Sequence, residues 1–465
     1  MRYSILILIV LLGCTVSPRT PSGSYLGFLK FPDITYHIYI DWSGPQPVIM
    51  NTTFKANEFA LDTLYFKDDS LHFRLSDFYS EYKGKYNKSL NRIEGQWIGE
   101  DSTHYPLEFI SVMPDTVSGL NPRISTDYSY QPPRQHEDGI IVCNRASENF
   151  ISHSIDTLIQ RIINKRYKNV HSLLIARNNC LVVEEYFYRY DLNFVYNIQS
   201  ATKSIVSALT GIAINKGEIK SVNETLCKTL PGYESLACNV QNKDLTLREL
   251  LTMSTGIAWD EQTYDYTDER NTLAIAANEQ DQFVHLLSRP RYKPNTPVFT
   301  YNSLNHILMN AVLKNATHQE NKQELTERIL KPLGIEKSYI SEPTPMGAIG
   351  DIGLRPRDML KFGLLYLHEG TWNGKQVVPA QWVRESTSTK IHPTPSLGYG
   401  YFWWTKVFNW KGKPVESFFA WGYGDQYIFV VPDAELVVVM SGSNWTTNPD
   451  GQAIQMVEEV LAAME

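Results

Sequence analysis

The sequence predicts two folded parts, a small all-β domain followed by a larger α+β domain. Residues 23–113 consist of short runs of alternating apolar and polar residues separated by turn signals. Residues 114–140 contain several prolines among polar residues and are predicted to form a linker. Residues 141–465 have strand-like segments at both ends and long helical patterns between them, which is typical of an α+β domain whose chain returns to one sheet.

The composition is that of a globular protein that does not bind nucleic acid. The 465 residues include 43 Lys and Arg against 50 Asp and Glu, a net charge of −7, and 43% are hydrophobic. Because phosphate binding needs a basic face, we expect no nucleic-acid partner. A chain of this length is longer than a domain with a single hydrophobic core usually is, which also favours two domains.

The N-terminus resembles a lipoprotein signal over residues 1–14. Arg2 precedes the apolar run Ile5 to Leu12, which is too short to span a bilayer. The order Leu11-Leu12-Gly13-Cys14 resembles a bacterial lipobox, in which the cysteine becomes the lipid-modified N-terminus. The alternative is a plain secretory signal with a chance cysteine. We expect a protein of the bacterial cell envelope, on the periplasmic side or the cell surface, that attaches to a membrane only through a lipid on Cys14.

Residues 23–113 are predicted to form an antiparallel meander or a small barrel. The segment Thr35 to Ile40 alternates with the period of a strand, and Lys67 to Ser70 supplies a turn. We expect a second turn at Lys83-Gly84-Lys85 and a further strand at Ile93 to Trp97. The regular spacing of these short segments favours an all-β unit.

Local signals mark four elements of the larger domain. They are a hairpin from Ser172 to Val183 that turns at Asn178-Asn179, a helix opened by a capping box at Thr246 and Glu249 and stopping near Gly256, a helix from Pro356 to Gly370, and a hairpin from Tyr427 to Met440 that turns at Pro432-Asp433. Helices therefore lie between the first and last strands.

Four cysteines follow Cys14, and four cysteines can pair in three ways. Cys227 and Cys238 are close in sequence and could close a short loop, so they are the first candidates for a disulfide in an oxidising compartment. The alternative is that all four are small buried hydrophobic residues. No spacing of Cys and His indicates a metal site.

A candidate nucleophile stands at the start of a helical segment. Ser200-Ala201-Thr202-Lys203 precedes the apolar run Ile205 to Leu209. A residue three positions on lies on the same helix face, so the Lys203 amine can hydrogen-bond the Ser200 hydroxyl. Serine needs a neighbouring base, and lysine serves when burial and nearby positive charge lower its pKa. Because this short pattern is common by chance, it needs support from other motifs.

Two later motifs provide that support. Tyr301-Asn302-Ser303 stands just before a helical segment, and Trp421-Gly422-Tyr423 leads into the last hairpin. In this order, the three motifs resemble those of class C β-lactamase-related serine hydrolases, a family with penicillin-binding-protein-like and esterase-like members. The resemblance covers roughly residues 145–465 and implies a β-lactamase/transpeptidase-like fold, an antiparallel sheet flanked by helices with a helical lobe.

The resemblance also implies a mechanism and roles for these residues. Ser200 would be the nucleophile, and Lys203 and Tyr301 would transfer protons. Ser303, Trp421, Gly422 and Tyr423 would form the oxyanion and substrate contacts, with no metal or organic cofactor required. The expected partner is a small molecule or peptide with an ester or amide bond.

Two departures from the family pattern bear on the substrate. Ser303 stands where the family has Asn, which changes the contact with a substrate amide. Trp421 stands where β-lactamases carry a Lys that recognises a carboxylate, so we expect an esterase or a D-amino-acid peptidase or amidase rather than a true β-lactamase. Both departures leave open a non-catalytic module that binds or senses cell-wall peptides. A Ser-His-Asp triad is not supported, because no G-x-S-x-G occurs.

Overall fold

The computed structural model describes residues 21–30, 35–42, 47–51, 57–58, 63–75, 80–99, 102–112, 128–164, 166–187, 190–264, 266, 268–293, 295–341, 348–444 and 451–464. The chain separates into two compact units, residues 1–117 and 118–465. The predicted signal with Cys14 and most of the predicted linker before residue 128 lie outside the described residues. Among the helices of the described ranges, none is both long enough and apolar enough to cross a membrane.

The first unit is an antiparallel sheet, which confirms the predicted all-β domain. Its strands are β1 (Gly23–Lys30), β2 (Thr35–Trp42), β3 (Val48–Asn51), β4 (Asn57–Glu58), β5 (Thr63–Lys67), β6 (Ser70–Leu75), β7 (Ser80–Asn87), β8 (Arg92–Ile98) and β9 (His104–Val112). They pair in the order β4-β3-β2-β1-β9-β8-β7-β6-β5. Alternate side chains, including Phe73, Tyr82 and Phe109, form the buried core of this unit.

The predicted turn at Lys83-Gly84-Lys85 is wrong. These residues lie in the middle of β7, and the chain reverses at residues 88–91 instead. Gly84 pairs with Gly95 of β8. A Cβ atom at Gly84 would lie 2.3 Å from the hydroxyl oxygen of Tyr82. The glycine therefore provides space for the Tyr82 ring within the sheet, a role that local sequence cannot distinguish from a turn.

The second unit contains fourteen strands and twelve α-helices in the described ranges. The strands are β10 (Ile141–Val142), β11 (Val170–Arg177), β12 (Cys180–Tyr186), β13 (Tyr196–Asn197), β14 (Tyr339–Ile340), β15 (Ile352–Leu354), β16 (Thr371–Trp372), β17 (Lys375–Gln376), β18 (Ile391–Thr394), β19 (Leu397–Tyr399), β20 (Trp404–Trp410), β21 (Lys413–Gly422), β22 (Gln426–Val431) and β23 (Leu436–Gly442). The helices are α1 (Ser152–Ile163), α2 (Thr202–Asn215), α3 (Leu226–Thr229), α4 (Glu234–Ala237), α5 (Leu247–Leu251), α6 (Thr272–Ala277), α7 (Gln282–Ser288), α8 (Leu304–Thr317), α9 (Asn321–Leu325), α10 (Pro356–Leu367), α11 (Ala380–Thr387) and α12 (Gln452–Ala462).

The main sheet joins the two ends of this unit, as the sequence predicts. Its order is β10-β12-β11-β23-β22-β21-β20-β19-β18, so an early strand, β11, pairs with the last strand, β23. Every residue of β11, β22 and β23 is buried. Helix α10 packs on β22 and β23, and α1 packs against α12. Helices α2 to α9 lie between these strands in sequence, which confirms the α+β arrangement.

The local signals place the predicted elements correctly. Asn178 and Asn179 have φ angles of 49° and 63°, as a tight hairpin turn requires. Thr246 and Glu249 form the capping box of α5, although this helix already ends at Leu251. Helix α10 has Pro356 in its first turn, the position where a missing N–H is tolerated. At these positions the capping and turn chemistry is local, so the sequence alone indicates it.

Residues 128–140 of the predicted linker are held on the second unit. The hydroxyl of Tyr128 donates a hydrogen bond to Glu185 over 2.9 Å. Asp138 forms an ion pair with the buried Arg357 over 2.7 Å. This stretch therefore contributes packing to the larger unit.

Two disulfides lie in the second unit. One joins Cys227 and Cys238, the pair favoured by the sequence, across a separation of 11 residues. The other joins Cys143 and Cys180 across a separation of 37 residues. Cys180 is the first residue of β12, and Cys143 directly follows β10, so this bridge fastens the edge of the main sheet.

Candidate active site

Ser200 lies in a short 3-10 turn, Gln199–Ala201, that leads directly into α2. Gln199 has a φ angle of 50°, so the backbone bends sharply just before the serine. The N–H of Ile198 donates to the carbonyl of Ile352 over 2.9 Å and fixes the approach to this turn. The fold thus presents Ser200 at the N-terminal end of a buried helix, where helix N–H groups and the positive end of the helix dipole favour negative charge.

Lys203 is the nearest base to Ser200. Its Nζ lies 2.8 Å from the Ser200 Oγ and 3.4 Å from the Ser303 Oγ. The Lys203 side chain is buried, and this burial lowers the pKa of its amine to about 8, although the carboxylates of Glu261 and Asp351 act in the opposite direction. A substantial fraction of Lys203 is therefore neutral near pH 8 and can accept the serine proton.

Tyr301 stands on the other side of this pair, just before α8. The Lys203 Nζ lies 5.1 Å from the centre of the Tyr301 ring. Burial and the Glu261 carboxylate raise the pKa of Tyr301, while its hydrogen bond with Ser200 has a smaller, lowering effect. Tyr301 therefore keeps its phenolic proton at neutral pH, which suits a proton donor better than a base.

A buried carboxylate, Glu261, completes this polar cluster. It accepts hydrogen bonds from the Ser303 N–H over 2.8 Å, the Ser303 Oγ over 2.7 Å and the Trp259 Nε1 over 2.7 Å. Glu261 belongs to none of the three motifs that the sequence shows. No periodic pattern connects positions 261 and 303, and the only nearby signal is Trp259, whose indole needs an acceptor when buried.

The Trp421-Gly422-Tyr423 segment ends β21 beside the serine turn. A Cβ atom at Gly422 would lie 2.0 Å from the carbonyl oxygen of Ile198, so only glycine allows this strand to approach so closely. The close approach places the end of β21 against the residues that precede Ser200. Both Ser200 and Tyr423 line the same cleft.

The cleft at Ser200 is predominantly aromatic. Its lining comprises Ser200, Gln262, Tyr266, Tyr301, Trp404, Trp421 and Tyr423. The Trp404 ring lies 6.2 Å from that of Tyr301 and 5.2 Å from that of Trp421. Within the described part of the chain, no charged side chain lines this cleft. Aromatic side chains therefore form most of the described wall around Ser200.

The predicted site residues meet at one place, while several nearby aromatic and histidine side chains are buried elsewhere. Ser200, Lys203, Tyr301, Ser303 and the Trp421–Tyr423 segment come together at one cleft. Trp403 and Trp259 do not line the cleft and are buried. His306 is also buried in α8 next to Ser303, and burial lowers its pKa to about 3, so it stays neutral. Cys227 lies in α3 and Cys238 directly follows α4, and neither lines the cleft.

Comparisons with known proteins identify the family and the fold of the second unit. The family model described as Beta-lactamase matches residues 156–462. The structure is similar to a class C beta lactamase from Rhodobacter sphaeroides, with a TM-score of 0.52 and 15% identity, covering 67% of this chain and 99% of that one. It is also similar to a penicillin binding protein from Bacillus halodurans, with a TM-score of 0.51 and 14% identity, covering 65% and 99%. These likenesses confirm the predicted fold.

A sequence relative is Protein flp of Staphylococcus aureus strain MW2. It is 28% identical over 208 residues, which cover 42% of this chain and 39% of that protein. The match therefore spans about two fifths of the relative's length.

Proposed function

Because this chain belongs to the beta-lactamase family, we propose that it is a serine hydrolase that cleaves an ester or amide bond through an acyl-enzyme on Ser200. The observation that carries the proposal is the distance of 2.8 Å between the Lys203 Nζ and the Ser200 Oγ. A buried lysine with a lowered pKa at this distance is suited to activating a serine hydroxyl.

The reaction begins with a proton transfer from Ser200 to Lys203. As the serine proton moves to the Lys203 amine, the Oγ forms a bond with the substrate carbonyl carbon, and the electron pair of the C=O double bond moves to its oxygen. Tyr301, which keeps its proton at neutral pH, supplies a proton to the leaving group. Collapse of the tetrahedral intermediate expels the leaving group and leaves the acyl group on Ser200.

Backbone N–H groups at the start of α2 and the end of β21 are the proposed oxyanion donors. Those of Ser200 and Tyr423 belong to the two segments that meet at the cleft. Such donors stabilise the charge that develops on the carbonyl oxygen and do not depend on the side chain at position 421. Water then attacks the acyl-enzyme with the same Lys203 and Tyr301 pair moving its protons.

The proposed substrate has a neutral acyl group. The cleft is lined by aromatic residues, and Trp421 occupies the position at which β-lactamases carry a lysine. A β-lactam or another substrate with a carboxylate next to the scissile bond lacks a cationic partner there. An esterase or a D-amino-acid peptidase or amidase of neutral substrates is therefore favoured over a true β-lactamase.

We also propose that the protein is lipid-anchored at the bacterial cell envelope. The lipobox-like order ending at Cys14 motivates this proposal, and the two disulfides of the second unit support an oxidising compartment. Metabolic labelling of the producing bacterium with an alkynyl fatty acid tests it. The wild type should incorporate the label and Cys14→Ser should not, whereas equal labelling of both would contradict an anchor at Cys14.

The hydrolase proposal is tested by labelling the purified protein with a fluorophosphonate probe. Mass mapping of the labelled peptide should identify Ser200. Turnover is then measured on p-nitrophenyl esters, D-amino-acid amides and a chromogenic cephalosporin, with esters or amides expected to be cleaved faster than the cephalosporin. Ser200→Ala should abolish both labelling and turnover without a change in thermal stability.

Ser207→Ala provides a matched control. Ser207 is buried in the same helix, and its hydroxyl has no hydrogen-bond partner among the described residues. This variant should keep the wild-type rates. Undiminished turnover in Ser200→Ala would exclude Ser200 as the nucleophile. A folded wild type without labelling or turnover would instead favour the non-catalytic peptide-binding module.

A further inference from the structure

We propose that Glu261 is a positioning residue of the candidate active site: through the Ser303 hydroxyl, it orients the Lys203 amine toward Ser200 and stabilises the ammonium that forms there. The inference rests on the proposed function of Ser200 and Lys203. It assigns a role to a residue that the three sequence motifs do not include.

The hydrogen bonds around Ser303 have a defined direction. The Ser303 Oγ lies 2.7 Å from a Glu261 carboxylate oxygen and donates its single proton to it. The oxygen of Ser303 then has only lone pairs left to offer, and Lys203 donates an N–H to it over 3.4 Å. The Lys203 Nζ also lies 2.8 Å from the Ser200 Oγ and donates to it as an ammonium. In the neutral amine, with one N–H held by Ser303, the lone pair can turn toward Ser200 and accept its proton.

Glu261 is held in place by two other donors. The Ser303 N–H and the Trp259 Nε1 both donate to its second carboxylate oxygen, over 2.8 Å and 2.7 Å. Glu261 itself is only 1% exposed. Burial raises the pKa of Glu261, whereas the nearby Lys203 and these three donors act to lower it. Three donors directed at one carboxyl group favour its ionised form.

Few charged groups face the Lys203 amine. Glu261 and Asp351 are the two carboxylates that raise its pKa, and Asp351 is hydrogen-bonded to Asn197 rather than to Ser303. Tyr301 and His306 also face Lys203, but the raised pKa of the phenol and the lowered pKa of the imidazole keep both neutral near pH 7. Of the residues that the structure describes, only Glu261 combines negative charge with a hydrogen-bonded path to Lys203 through Ser303.

The proposed role follows from the first proton transfer. When the Ser200 proton moves to Lys203, the neutral amine becomes an ammonium inside a buried site, where charge is poorly solvated. The Glu261 carboxylate, one serine away, stabilises this new positive charge. Ser303, in the place of the family's Asn, makes the connection, because its hydroxyl can accept from Lys203 and donate to Glu261 at the same time.

Glu261→Gln tests the proposal because it keeps the shape and reverses one hydrogen bond. The amide oxygen of Gln can still accept from the Ser303 N–H and Trp259, but its NH2 group would donate to the Ser303 Oγ. The Ser303 proton would then turn toward the Lys203 amine and compete with Ser200 for its lone pair. We expect kcat for a p-nitrophenyl ester to fall about 10- to 100-fold with KM little changed, as for other supporting contacts.

The pH profile separates this role from a merely structural one. Loss of the Glu261 charge disfavours the ammonium, so the pKa of Lys203 falls further and the acid limb of kcat/KM shifts to lower pH, by about one unit. Ser303→Ala removes the connection and keeps the charge, so it should lower kcat with a smaller shift of the limb. Glu261→Asp keeps the charge and should keep the limb near its wild-type position.

Glu185→Gln is the matched control for removing a buried carboxylate. Glu185 is 2% exposed and lies on β12, which three strands separate from β21. This variant should change thermal stability without moving the acid limb. The pH dependence of fluorophosphonate labelling at Ser200 provides a second readout that does not need turnover.

Three outcomes would overturn the inference. Wild-type kcat and an unshifted limb in folded Glu261→Gln would do so directly. If Glu261→Gln does not fold, two other results would overturn the inference. One is an acid limb of kcat/KM in Glu261→Asp that moves by as much as one pH unit, and the other is a wild-type kcat in Ser303→Ala. Each of these outcomes is read only if the fluorophosphonate probe labels Ser200 in the wild type. If the wild type is not labelled, the proposed function itself fails, and the two failures are thus distinguished.

Discussion

Gly422→Ala should separate the end of β21 from the serine turn. The new Cβ atom would lie 2.0 Å from the Ile198 carbonyl oxygen and 3.1 Å from the Gln199 Cβ. The nearest atom is backbone and cannot rotate away, so the strand and the serine turn must separate by about 1.4 Å to reach an ordinary contact distance of 3.4 Å. A displacement of about 1 Å in a catalytic group reduces rates by about 100-fold, or about 2.7 kcal/mol in the activation free energy.

The assay is kcat/KM on a p-nitrophenyl ester, together with the rate of fluorophosphonate labelling and the thermal midpoint. Gly412→Ala is the control, because Gly412 lies in the turn at the other end of the same strand. Its φ is +75°, and among the described residues nothing beyond its chain neighbours lies within 4 Å of the place that an added methyl group would take. This variant should lose roughly 1–2 kcal/mol of stability from backbone strain and keep its activity. Wild-type labelling and turnover in Gly422→Ala would refute the role given to this contact.

Three further outcomes are expected. The pKa of Lys203 is lowered to about 8, and the neutral amine is the base. The rate of fluorophosphonate labelling at Ser200 should therefore rise with pH around pH 8, and a rise only near the ordinary pKa of lysine would contradict this. Burial lowers the pKa of His171 to about 3 in the folded protein. Between about pH 6.5 and pH 3, His171 therefore binds a proton in the unfolded state but not in the folded state, and the free energy of unfolding decreases as the pH falls. His171→Phe should reduce the pH dependence of the unfolding free energy in urea by up to about 1.4 kcal/mol per pH unit, and an unchanged pH dependence would contradict this role of His171. Replacing Cys227 and Cys238 by Ala should lower the unfolding free energy by about 3 kcal/mol, given the short loop, and equal stability would exclude that contribution.

The sequence predicts features whose physical cause is local. Asn178 and Asn179 indicate a hairpin because they tolerate the left-handed backbone that its turn needs. Ser200 and Lys203 are three residues apart on one helix, so their contact follows from helix geometry. The same reasoning fails at Gly84, because a glycine that accommodates a ring and a glycine that permits a turn look alike in sequence.

Features that depend on tertiary packing are not predicted from the sequence. Glu261 meets Ser303 only because the segment after Trp259 folds back against the start of α8. The packing of Tyr128 and Asp138 on the larger unit is similarly invisible in a stretch whose prolines suggest a linker. Buried polar residues outside any periodic pattern are therefore the positions where this chain departs most from what its sequence indicates.

The pairing of β11 with β23 governs when the second unit can fold. Leu173 of β11 stands opposite Met440 of β23, so the centre of the main sheet joins segments from the two ends of the unit. During synthesis, the partner of β11 becomes available only after all of α2 to α11 has left the ribosome. Contacts so distant in sequence form slowly. An incomplete sheet also leaves the apolar strand β11 uncovered, which makes a nascent chain dependent on holding factors.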